Sequence, residues 1–158
     1  MATTIEILQA IQDSPVAHAV SKSNHLVGAG LQIVHVLGFI LLLSALIMLS
    51  LRLLGVALKQ QPLAHVARDA TRLIHGGLIA AVSSGVLMFV STPRLYYFNW
   101  AFELKMVLFL VAVLVQLTLF RGVAASESPS PALARTAVAL SLTTWFSVGL
   151  AGRMIGFI

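Results

Sequence analysis

Residues 26–52 read LVGAGLQIVHVLGFILLLSALIMLSLR, and from Leu26 to Leu51 they carry no formal charge. A helix needs about 20 mostly apolar residues to cross a bilayer, so this stretch is long enough to span one. Polar groups at that depth are costly, which means that Gln32 and His35 must face other protein or serve a purpose. One stretch thus sets both the fold class and the first candidate site.

The rest of the chain agrees with it. Of 158 residues, 59% are hydrophobic and only 9% charged, and the mean hydropathy is strongly positive, far from the balance of an ordinary soluble domain. The reading is an all-α integral membrane protein. With no cysteine, disulfides, zinc–thiolate sites and iron–sulfur clusters are excluded, and any metal must sit on His, Met, carboxylate or Lys. The net charge is +5, but Lys and Arg stand singly at the ends of apolar stretches. That pattern marks membrane topology and argues against nucleic acid as a partner.

Two segments are expected: an interfacial N-terminal part, 1–25, and a transmembrane four-helix bundle, 26–158. In the first, Thr3 and Glu6 form a capping box for a short amphipathic helix over about residues 4–12, and Ser14-Pro15 starts a second that leads through Lys22. Glu6 and Asp13 interrupt the apolar positions and no basic residue precedes them, so the segment does not read as a signal peptide and is expected to remain in the mature protein.

Four apolar spans follow, at 26–51, 73–90, about 101–120 and 133–152, with short connections that make neighbours antiparallel. Gly55 to Gln61 form the first turn, and the second helix starts near Pro62, well ahead of its apolar part. The second turn holds Thr92, Pro93, Arg94 and Asn99 beside the aromatics of an interfacial belt, and RGVAASESPSP reads as a surface loop. Arg52, Lys59, Arg68, Arg72, Arg121 and Arg135 share one side, against Lys22, Arg94, Lys105 and Arg153 on the other. The excess favours both termini outside the cytoplasm.

Depth, counted from the middle of each span at about 1.5 Å per residue, sorts the polar residues into two layers. His35, Met88 and Lys105, with Glu103 and His25, lie towards the outside; His75 and Gln116, near Arg72, lie towards the inside. His35 and His75 are therefore poor partners for one iron, whose two axial nitrogens must lie about 4 Å apart if each bond is about 2 Å.

A structural histidine would donate to a neighbouring helix's carbonyl or pair with Gln32. A functional one would be the metal ligand of a b-type haem, with Lys105 or Met88 opposite, Gly28 and Gly38 leaving room for the ring, and Arg153 beside a propionate. Glycines also simply let helices approach, lysines near span ends snorkel, and methionines fill cores. His75 with Arg68 and Arg72 reads as the fringe of a quinone or anionic-headgroup site. In the fourth span Ser141, Thr144, Ser147, Gly149 and Gly152 supply a small-residue packing face.

Three functions fit these residues. A haem protein would serve electron transfer or a quinone- or porphyrin-linked oxidoreduction; a copper-handling protein would use His35, Met88 and Met106; an anchor or assembly subunit would need only the packing faces. A quinone, a redox partner protein, or a place in an oligomer or larger complex goes with them. Ser–His–Asp sets, phosphate loops and HExxH are absent, and five acidic residues leave little for hydrolytic chemistry.

The runs SPVAHAV (14–20), VHVLGF (34–39), LRLLG (51–55), GVLMF (85–89), YYFNWAFELK (96–105) and the ending from Trp145 to Gly152-Arg153 together resemble an uncharacterised family of four-span bacterial membrane proteins. More distantly, the histidine early in the first span, the glycine-plus-apolar end of the second and the lysine at the start of the third are similar to copper-resistance D type domains and HemJ-type protoporphyrinogen oxidases. That resemblance implies a haem ligand at His35 and a functional partner at Lys105. The histidine- and arginine-rich surroundings of the HemJ type are not reproduced, so porphyrin oxidation itself is not implied.

Overall fold

The computed structural model describes residues 3–21, 25–126 and 129–157, the side chains of Ser21 and His25 excepted. The expectations placed on Lys22 and on the His25 side chain lie outside the described residues. Every regular element within them is helical, and four stretches, Leu26–Leu53, Leu63–Ser91, Trp100–Ala125 and Pro131–Met154, are long and apolar enough to cross a membrane. The fold is an all-α four-helix bundle of membrane-spanning type.

The first two helices form where local chemistry predicts. In α1 (Thr4–Gln12) the Thr3 N–H donates to Glu6 at 2.8 Å and the Glu6 N–H donates to Thr3 Oγ1 at 3.4 Å, which closes the capping box. Helix α2 (Pro15–Ser21) begins with Pro15, and Ser14 Oγ accepts from the Ala17 N–H. Leu8 and Ala17 are buried, because α1 packs on the segment after the second span and α2 on the second span itself.

The long helices are α3 (His25–Leu53), α4 (Leu63–Ser91), α6 (Trp100–Val115) and α8 (Pro131–Met154). As expected, α4 starts well ahead of its apolar part. The second turn is more ordered than a plain turn, since Pro93–Tyr97 make a short helix, α5. Asn99 then caps α6, its Oδ1 accepting from the N–H groups of Ala101 and Phe102 while its amide donates to the Ile155 carbonyl at the end of α8.

One expectation is corrected. The start of RGVAASESPSP is not loop: after α6 the chain passes through a π-helical turn, Gln116–Phe120, into α7 (Arg121–Ala125). Arg121, Ala124 and Ala125 are good helix formers and sustain the helix before the Ser/Pro stretch ends it.

The most extensive packing is α3 on α4, followed by α6 on α8. The α3–α4 crossing is tight because it is made of glycines. A Cβ on Gly38 would lie 2.8 Å from the Gly77 carbonyl and the Ala81 nitrogen, and one on Gly77 would lie 2.8 Å from the Leu42 nitrogen. Lipid is as apolar as the helix surfaces and gives no hydrophobic force between them, so close backbone approach supplies the van der Waals contact that holds them. Trp145 on α8 is 2% exposed, its ring tilted on Phe39 of α3 and edge-on to Phe109 of α6, and so joins the two pairs.

Candidate functional site

The glycine crossing decides where His35 points. One turn from Gly38 on α3, the His35 ring faces α4, where its Nδ1 lies 2.7 Å from the Ala81 carbonyl and 3.3 Å from Ser84 Oγ. A carbonyl oxygen only accepts, so Nδ1 carries the proton and the Nε2 lone pair is left free to accept. Ser84 holds its own place by donating to the Ala80 carbonyl at 2.6 Å. Gly85 makes room for the ring: a Cβ there would sit 3.0 Å from His35 Cε1.

The free lone pair meets α6. Lys105 Nζ lies 3.3 Å from His35 Nε2 and donates to it. Two features bring the lysine there. Asn99 fixes the start of α6, which sets the rotation of its second turn, and Gly152 of α8 lies against the lysine stem, 3.4 Å from Cε and Nζ to where its Cβ would be. Three helices therefore converge on one imidazole: α3 supplies it, α4 orients it and α6 faces it with an amine.

The other candidates are distributed as follows. Met88 follows Ser84 and Gly85 by four and three residues on α4, which puts it on the same face, one turn further from the bundle middle. Arg153 follows Gly152 but turns its guanidinium over the Phe157 ring, 4.5 Å from the centroid. Glu103 and Gln32 are exposed; the partners of His35 are Ala81, Ser84 and Lys105, not Gln32. Among the described residues the ion pairs are those of Asp69 with His65 and Arg72, so Lys105 is not paired with Glu103.

His75 stands on α4 nine residues before Ser84, roughly 13 Å along the axis, in a cavity at the opposite end of the bundle. It cannot share a metal with His35. Gln116, the other residue of that layer, accepts from Ser141 Oγ at 3.0 Å and joins α8 to the π-helical turn.

Glycines are redistributed too. Gly38 leaves no room for a ligand because the α4 backbone fills the space, and Gly28 faces open space. The glycines that shape the site are Gly85 and Gly152. Gly85 stands in the GVLMF run that carries the resemblance, whereas the Ala81 carbonyl and Ser84 escaped the sequence reading; their signal is that 77, 81, 84 and 85 are small residues recurring at helical spacing.

The sequence profile of a family of unknown function, DUF6644, matches residues 19–158. The chain belongs to the DUF6644 family. The match takes in His35, Lys105 and all four spanning helices, and leaves α1 outside. No curated protein and no solved structure matches the chain.

Proposed function

We propose that this DUF6644 protein is a membrane redox protein that binds a b-type haem, with His35 Nε2 and the Lys105 amine as the groups that would hold it. The observation that carries the reading is the second bond of His35. The bond to Ala81 fixes the tautomer, and the Nε2 lone pair faces the Lys105 amine 3.3 Å away, so two nitrogen groups able to ligate a metal stand together within the span region. A hydrogen bond from one ring nitrogen to a backbone carbonyl is the usual support for a ligating imidazole.

The donor set fits iron in a macrocycle better than a metal held by protein alone. Among the described residues no three His, Asp or Glu gather as a metal site, and haem iron asks the protein for only one or two ligands. His35 Nε2 and Lys105 Nζ are in direct contact at 3.3 Å, so a macrocycle would have to part them, and Lys105, the more flexible side chain, is the one that would move. To ligate, its amine must be neutral; protonated, it instead keeps a positive charge beside the ring.

Such a group would supply one-electron chemistry. His35 would hold it, Ala81 and Ser84 would keep the imidazole in one orientation, and the packed α3–α4 crossing would close the side towards the bundle centre. In the proposed topology the termini lie outside the cytoplasm of a bacterial inner membrane, so the site would exchange electrons near the outer leaflet with a quinone or a redox protein.

Copper handling is the rival reading, favoured by Met88 on the face that orients His35. Absorption spectra of the protein extracted from membranes separate the two: haem gives a Soret band and sharp bands on reduction, whereas bound copper without them supports the rival.

A further inference from the structure

At the far end of the bundle from His35, a cavity of about 600 Å³ opens between α4 and the segment from the end of α6 to α7. That is within the range of about 300–1,000 Å³ typical of small-molecule sites. Ala67 and Leu117 offer it apolar surface over the buried Ile74 and Phe120, while Arg68, Arg72, Arg121 and His75 are exposed at its margin.

Two observations separate this place from an ordinary basic helix end. The first is charge. Asp69 lies 3.8 Å from Arg72 and 3.3 Å from His65, and it forms both ion pairs found among the described residues. Arg68 and Arg121, which approach from different helices, have no acidic partner among them. The second is backbone. The wall opposite α4 is the π-helical turn Gln116–Phe120, an arrangement that is rare within helices and frequent at functional sites. Guanidinium groups match the geometry of phosphate and carboxylate oxygens, and the apolar interior suits a hydrocarbon tail.

We propose that this cavity binds an amphiphile with an anionic oxyanion headgroup, its tail held against Ala67 and Leu117 and its headgroup between Arg68 and Arg121. The site is independent of the His35–Lys105 pair, and stands or falls whether or not haem is bound.

The test is native mass spectrometry of the full chain in detergent with added dioleoyl phosphatidic acid, dioleoyl phosphatidylcholine or inorganic phosphate. Saturable retention of one phosphatidic acid per chain is expected, undisturbed by millimolar inorganic phosphate. Arg68→Gln and Arg121→Gln should each weaken it about fivefold. Ala67→Phe, which fills the cavity and leaves both arginines in place, should abolish it. The arginine variants alter only exposed side chains, so they remain informative if the bulky variant fails to fold. Equal retention of phosphatidylcholine would overturn the proposal as annular lipid. Displacement by inorganic phosphate would overturn it as a free-anion site, and unchanged retention in the arginine pair or in a folded Ala67→Phe protein would overturn it as non-specific.

Discussion

Lys105 Nζ lies 3.3 Å from His35 Nε2 across 70 residues of sequence, in the half of the bundle nearer α1 and α2. The pair exists because a backbone carbonyl on a third helix, that of Ala81, takes the other imidazole nitrogen and fixes which one is left over. Intramembrane ionisable groups are rare because they are costly, and the contact of two of them is what the proposed function is built on.

The lysine is expected to tune the site and not to create it. Lys105→Met, which keeps the stem but removes the amine, should retain haem and shift the reduced-state absorption bands. Visible spectra of the two proteins check this, and identical spectra would place Lys105 outside the coordination of the group.

The glycine crossing is expected to be the least tolerant point of the fold. Gly77→Val would drive methyl groups into the Gly38 and Leu42 backbones, which cannot step aside as side chains do, and should destabilise by about 3 kcal/mol or more. Gly28→Ala and Gly76→Ala, where a Cβ meets nothing within 4 Å, should be neutral or stabilising by up to about 1 kcal/mol. Thermal unfolding in detergent compares them. The crossing also aims His35, so a Gly77→Val protein that folds should bind less haem.

Trp145 separates packing from hydrogen bonding. Its buried Nε1 has no hydrogen-bond partner among the described residues, so Trp145→Phe gives up ring area but no bond and should cost about 1–2 kcal/mol. Trp145→Ala should cost about 3–5 kcal/mol, since it empties the contact between Phe39 and Phe109. Near-equal losses would mean that the indole N–H matters after all.

Asn99 ties two helix ends together. Asn99→Ala should lose about 1 kcal/mol from the cap of α6 and a further increment from the Ile155 carbonyl it leaves without that donor. Asn99→Asp preserves the cap but sets a carboxylate oxygen against the Ile155 carbonyl, so in the same thermal assay it should recover the α6 part of the loss and not the Ile155 part.

Much of this architecture is legible in the sequence, for reasons that can be named. The capping box at Thr3 and Glu6 and the Ser14-Pro15 start are local signals, and local hydrogen bonds alone satisfy them. The depth count sets His35 and Lys105 in one layer and His75 in another, because rise per residue is fixed. What it cannot supply is rotation about the helix axis. Arg153, in the same layer, turns onto Phe157, and the partner that orients His35 is a main-chain oxygen, which no side-chain pattern reveals. The π-helical turn is invisible for a similar reason: Gln116 to Phe120 are ordinary helix residues, and the extra residue in the turn is a matter of packing against α8, to which Gln116 is bonded through Ser141.

The central claim rests on the spectrum of the protein extracted from membranes, recorded before and after dithionite and repeated for His35→Ala. A Soret band with sharp reduced-state bands in the parent, lost in a folded His35→Ala protein, is the predicted result. A colourless parent protein without iron, or a variant that keeps the full haem spectrum, would contradict it.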